Sequence, residues 1–159
     1  MTRLTRMTEA EYQDYLEASI PAYAQDKILS GQWAPSEALA LARQSMQDSL
    51  PQGLDTVDNY LYTLRHGATE EVVGMLWIAA QQRGVRKVAY VYDVIVHEAY
   101  RRQGHATRAF AALEKEVLAL GLSGIGLHVF AHNHSAHALY VKLGYVATNI
   151  NMFKVLGDA

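Results

Sequence analysis

The sequence contains no cysteine. This excludes disulfides within the chain, a cysteine nucleophile and thiolate metal sites, and it fits a reducing compartment. No apolar run approaches the roughly 20 residues that a membrane span needs. The start, MTRLTRMTEAEYQDYLE, is polar and helix-like and has no apolar signal core. No charge of one sign dominates. Lys and Arg number 14 against 16 Asp and Glu, a formal net charge of -2, so neither nucleic acid nor an anionic membrane is advertised as a partner. Internal repeats and low-complexity stretches are absent as well. The expectation is a cytoplasmic protein of one domain, since 159 residues, half of them apolar and 19% charged, can bury a core.

What is present is a helical front third followed by alternating strands and helices. Thr8 and Glu11 form a capping-box pattern, and Tyr12, Leu16, Ile20 and Tyr23 recur at helical spacing over residues 8–23. Residues 28–31 end a second short helical piece. Leu39, Ala42 and Met46 mark another helix, stopped by Pro51-Gln52-Gly53. Strands are expected at 60–64, 72–80 and 87–96, joined by a turn at 65–69 and a Gly-containing loop at 81–86. The third strand, KVAYVYDVIV, is apolar on both faces except for Asp93, the pattern of a central strand. The polar segment 97–106 opens a helix whose buried stripe is Ala106, Phe110, Leu113, Val117 and Leu120, ended by Gly121. A strand at 124–130 follows. Asn133 then caps a helix carrying Ala136, Leu139, Tyr140 and Leu143, and Gly144 closes it. A last strand is expected at 145–156. The order predicts a mixed α/β (α+β) sheet with helices on its faces.

The strongest chemical signal is Arg101-x-x-Gly104-x-Ala106-Thr107 between a strand and a helix. A helix N-terminus offers free backbone N–H groups and partial positive charge, which together suit an anion. Gly104 and Ala106 are small enough for phosphate oxygens to approach the backbone. Arg101, Arg102 and the Thr107 hydroxyl add charge and donors. The Gly-Lys-Ser/Thr of a Walker loop is missing, and Gly124-x-Gly126 has Val129 where a dinucleotide fingerprint needs its third glycine. On the loop alone, a phosphate site and a plain helix start with solvated arginines both stand.

The loop is not alone. The run from Val94 through Ile95, Val96, Arg101, Arg102, Gln103, Gly104, His105 and Ala106 resembles the acyl-CoA signature of GNAT-superfamily N-acetyltransferases. Asn133-x-x-Ala136-x-x-Leu139-Tyr140-x-Lys142-Leu143-Gly144-Tyr145 resembles that family's second signature, with Tyr145 in place of the commoner Phe. The resemblance is close over residues 94–145 and agrees in layout from residue 59 on. It implies a GNAT-like single domain over residues 1–159, its central sheet splayed into a V between the strands at 87–96 and 124–130. It also implies acetyl-CoA as co-substrate. Pantetheine would pair with backbone at Val94, Ile95 and Val96. Pyrophosphate would sit on Arg101, Arg102, Gln103, Gly104, His105, Ala106 and Thr107. Asn133, on the helix that carries Ala136, would contact the CoA arm, and Tyr140 would stand near the sulfur. Residues 1–53 correspond to the family's variable, substrate-side helices, and 94–145 to its acetyl-CoA core.

Amide formation by direct attack needs a neutral amine, a polarised thioester oxygen and a proton for the departing thiolate. Tyr140 is the candidate donor, since a phenol is protonated at neutral pH; read without its context it is also a core aromatic of a helical stripe. For the base, His128 is the residue type that can take a proton at neutral pH, while Asp93 is a lone carboxylate in a central strand, which must be paired or used. His128 also reads as a core histidine, Asp93 as half of an ion pair with an arginine, and a water relay is the third possibility. Glu98 reads as an exposed turn residue. His128, His132, His134 and His137 crowd one segment without a paired-ligand motif, so no metal is expected. Near the acceptor, Glu9, Glu11, Asp14, Glu17, Asp26, Tyr12, Tyr15, Tyr23 and Trp33 read as solvated helix faces or as an acidic, aromatic rim for a cationic amine. The expected acceptor is a small-molecule or peptide amine, and the chain a monomer or homodimer. The alternative is a non-catalytic acyl-CoA-binding sensor or scaffold.

Overall fold

A computed structural model of the chain describes residues 1–158. Its contacts group into two compact units, residues 1–127 and the remainder from His128 onward. In the first unit the elements are β1 (Thr2–Arg6), α1 (Glu9–Leu29), α2 (Ala38–Ser49), β2 (Asn59–His66), β3 (Val72–Arg83), β4 (Arg86–Val96), α3 (His105–Ala119) and β5 (Ile125–Gly126). Short 3₁₀ turns lie at Gly53–Asp55 and Glu98–Tyr100. Among its described residues the second unit contains one helix, α4 (His134–Lys142).

The sheet order is β1-β2-β3-β4-β5. The first four strands are antiparallel neighbours, and β5 joins β4 in parallel after the crossover through α3. Successive strand residues face opposite sides. Leu61 therefore joins Met75 and Trp77 on the face covered by Met7, Tyr12 and Tyr15. Tyr62 points the other way and lies near Glu116 of α3, which raises the pKa of its phenol, burial being the larger cause. Helices thus cover both faces, with α3 lying against β1 and β4 and burying Ala109, Phe110, Leu113 and Val117. Each large side chain so buried contributes about 1.5–3 kcal/mol.

The capping box of α1 is formed: Thr8 Oγ1 accepts from the Glu11 N–H, and the Thr8 N–H donates to Glu11 Oε1, a motif that contributes about 1 kcal/mol. The helix does not break into the two expected pieces. It runs through Pro21 to Leu29, held by Tyr12, Tyr15 and Ala24 in the core, and burial outweighs the backbone bond that proline removes. The expectation of a helix-like start also fails. Residues 2–6 form β1, paired with β2 in the register Thr2↔His66 to Arg6↔Tyr62. Its polar alternation is that of an edge strand.

The β3–β4 register skips Tyr92: Trp77 pairs with Asp93, but Ile78 pairs with Val91. Such a bulge bends a strand. The parallel ladder with β5 involves only Ala89 and Tyr90, just before that bulge. Among the described residues no strand is registered with Val91 to Val96 on that side. The strand expected at 124–130 is accordingly shortened to Ile125–Gly126. The strand expected at 145–156 does not form. Among the described residues of the second unit there is no strand to supply a ladder, and β propensity without a partner does not make a strand.

Candidate active site

The chain leaves β4 at Val96, passes the 3₁₀ turn and enters α3 through left-handed backbone at Arg102 (φ 63°) and Gly104 (φ 80°). No side chain caps the Gly104 end of the helix, so the first N–H groups of α3 stay available to a ligand. A cavity of about 220 Å³ opens here, lined by Val96, Tyr100 and the turn from Arg101 to Thr107, Gln103 excepted. Cationic side chains, a hydroxyl and the positive end of a helix therefore share one concavity, the physical specification of a phosphate site. Arg101 spends its Nε on the Val96 carbonyl (2.9 Å), which holds the turn against the strand end. Gln103 bonds back to Ala99 O instead (3.2 Å). Val94 and Ile95 lie just upstream in β4.

His105 is buried beneath this turn with 2% of its surface exposed. Its Nδ1 lies 2.8 Å from Thr2 Oγ1, and Nε2 is buried without a partner. Burial first, then Arg108, His66 and the Met1 amino group, lower its pKa from the ordinary 6.5. The folded chain therefore keeps His105 neutral while the unfolded chain takes up a proton below about pH 6.5. The resulting stability is present above that pH and is lost as pH falls through the depressed folded value. Urea midpoints measured from pH 7.5 down to 5 are expected to fall over this window. The fall should be shallower in His105→Met, and equal slopes would remove His105 as the cause.

Asp93 is half-buried in β4. Among the described residues it has no ion pair with an arginine, contrary to one of its two expected roles. Its Oδ2 accepts from the Tyr15 hydroxyl (2.8 Å). Burial raises its pKa from 3.8, partly offset by the bonds from Tyr15 and the Val94 N–H. Tyr15 is pushed up in turn by burial and by that carboxylate. Tyr12 and Tyr15 therefore belong to the core rather than to an acceptor rim. Glu11 is committed to the α1 cap, to Thr63 and to Arg65, while Lys27 sits over the rings of Tyr23 and Trp33. Tyr92 stacks on Trp77 at 5.0 Å, beside Asp93 at the bulge. Sequence reasoning missed Thr2 and Arg108 and named Tyr15 only for the acceptor side, because their partners lie far along the chain.

In the second unit, Asn133 caps α4, its Oδ1 accepting from the Ala136 N–H (3.3 Å). Gly144, at φ 97°, closes the helix, and the Tyr145 N–H reaches Tyr140 O (2.9 Å). Tyr140 packs edge-on against Tyr145 at 5.7 Å, and burial raises the pKa of its phenol. His128 is exposed rather than a core histidine. Its ring meets Phe130 at 4.8 Å, and Phe130 stacks on His132 at 5.5 Å, the period-2 ladder of an extended segment.

Among the described residues no helix is long and apolar enough to cross a membrane. The family model described as "Acetyltransferase (GNAT) family" matches residues 12–145. The chain is 37% identical over 153 residues to the uncharacterized N-acetyltransferase YycN of Bacillus subtilis, covering 96% of this chain and 97% of that protein. It is 35% identical over the same shares to the uncharacterized N-acetyltransferase YdgE of that organism. The crystal structure of the YycN putative acetyltransferase superimposes with a TM-score of 0.86 at 36% identity, covering 99% of this chain and 100% of that one. A structure of AAC(6')-Iy in complex with a CoA-containing bisubstrate analog shares the fold, with a TM-score of 0.62 at 13% identity, and 99% of each chain is covered.

Proposed function

The chain belongs to the GNAT acetyltransferase family and is an N-acetyltransferase, and on that premise we propose that it moves the acetyl group of acetyl-CoA to a primary amine by direct attack in a ternary complex. The observation that carries this reading is the cavity at the N-terminus of α3, walled by Arg101, Arg102, Gly104, His105, Ala106 and Thr107. Backbone N–H groups of the turn, with Arg102 and Thr107, receive the pyrophosphate. The pantetheine amides pair with backbone at Val94, Ile95 and Val96, and Asn133 and Ala136 bind the CoA arm.

In the chemical step the amine nitrogen bonds to the thioester carbon, the C–S bond breaks and CoA leaves as a thiolate. Tyr140 gives that thiolate its proton; a raised phenol pKa keeps the donor protonated throughout the neutral range. The proton lost by the nitrogen goes to His128, to Asp93 or into a water relay. Asp93 has one oxygen bound to Tyr15 and a pKa raised by burial. If Asp93 is the base, activity is lost on the acid side as pH falls through that raised value, and Asp93→Asn abolishes the limb. If His128 is the base, His128→Ala abolishes it instead. A limb that survives both replacements leaves the water relay.

The reading is tested by titrating the protein calorimetrically with acetyl-CoA and then following thiol release with a panel of amines. Saturable binding with amine-dependent release is the expected result. A folded protein that does not bind acetyl-CoA would sink the proposal.

A further inference from the structure

The turn that lines the cavity is tied to the N-terminal strand by one side chain outside the cavity wall. Arg108 stands one helical turn into α3. Its Nη2 donates to the Gln103 carbonyl (2.9 Å) and its Nε to Thr2 Oγ1 (3.1 Å). Its Nη1 lies so close under Gly104 that a Cβ there would sit 2.8 Å from it. Thr2 is 6% exposed and sits in β1 opposite His66. Having accepted a hydrogen bond from Arg108, its hydroxyl has its own proton left to give, and His105 Nδ1 lies at 2.8 Å. The chain of donors therefore runs from Arg108 through Thr2 to His105. It joins β1 to the turn and to the first residue of α3.

We infer that Arg108, braced by Thr2, is a positioning residue for acetyl-CoA: it holds the Gln103–Gly104 peptide in the orientation that the phosphate site requires. A trans peptide is planar, and its C=O and N–H point in opposite directions. Fixing the Gln103 carbonyl on a guanidinium therefore also fixes the direction of the Gly104 N–H, one of the groups at the cavity wall. The left-handed backbone of Arg102 costs energy unless its surroundings hold it. Arg101 on Val96 O and Arg108 on Gln103 O hold the two sides of the turn. Arg108 is not part of the cavity lining, so it acts through the turn and not by touching the phosphates. The forked geometry is what does this, and a lysine of equal charge lacks it.

The inference rests on the acetyl-CoA reading, and the experiment separates the two. Acetyl-CoA dissociation constants and steady-state constants are measured for wild type, Arg108→Lys, Arg108→Gln, Thr2→Val and Thr2→Ser, with urea midpoints for each. Both Arg108 variants are expected to raise the Kd and KM for acetyl-CoA about tenfold or more, the worth of a charge-assisted hydrogen bond. Their kcat and the KM for the amine should stay within about twofold of wild type. Thr2→Val should weaken binding by a smaller factor, and Thr2→Ser, which keeps the hydroxyl, should restore it. Thr2→Val and its rescue decide the matter if the Arg108 variants do not fold. Wild-type affinity in Arg108→Lys with weak binding in Arg108→Gln would reduce the effect to charge and overturn the inference. So would stability losses with no change in Kd. Absence of binding by the wild type would instead strike the acetyl-CoA reading, and this inference with it.

Discussion

Replacing Tyr140 with phenylalanine is expected to lower kcat by about 10²–10⁴-fold, the usual contribution of a positioned general acid, while the Kd for acetyl-CoA changes less than twofold. Phenylalanine keeps the ring that packs against Tyr145 at 5.7 Å and removes only the hydroxyl. The departing thiolate must then collect its proton from solvent. Because burial raises the phenol pKa above its ordinary value of 10.0, the wild-type enzyme should show no basic limb from this group below that pH, and Tyr140→Phe should leave the profile's shape unchanged while lowering its height. Steady-state kinetics beside calorimetry reads both quantities. A variant with wild-type kcat would move the donor role elsewhere. A variant that loses acetyl-CoA binding in proportion to rate would make Tyr140 a binding residue.

Replacing Gly74 with alanine is expected to cost about 2–4 kcal/mol of stability, the upper range for overpacking a site that cannot relax. Gly74 pairs with Val96 across β3 and β4, and a Cβ built on it would lie 1.9 Å from the Ile95 carbonyl oxygen and 2.9 Å from its carbon. The obstacle is backbone, so no side-chain rotation relieves it. The strands must part at the end of β4, the segment that we propose for the pantetheine. Urea unfolding should show a lowered midpoint, and calorimetry a weaker acetyl-CoA Kd, in the same variant. A midpoint equal to wild type would mean that β3 and β4 separate without cost at this point.

The elements legible in the sequence are those whose determinants are local. The capping box needs only Thr8 and Glu11. The apolar stripe of α3 needs only its own period, and its buried members Phe110, Leu113 and Val117 are among those expected. Asn133 caps α4 through the N–H of Ala136, three residues on. Both signatures could be read for the same reason: each is a contiguous strand-turn-helix or cap-helix-glycine run. Elements that failed were those needing a partner. β1 exists because β2 pairs with it. The strand at 124–130 contracts to two residues because β4 offers a ladder only up to Tyr90. The stretch 145–156 has strand-like composition and no ladder.

The sequence by itself therefore showed the family and the class of chemistry, because each of the two signatures is a contiguous run of residues, and it singled out the turn that we propose for the phosphate site. Tertiary structure alone decided which distant groups meet. Asp93 meets Tyr15 across 78 positions of chain, and Arg108 meets Thr2 across 106. Gly74 is required because the Ile95 carbonyl passes where its Cβ would stand. These contacts follow from strand register and from which face of the sheet a helix covers. Register is a cooperative outcome of packing many side chains at once, so no short stretch of sequence encodes it.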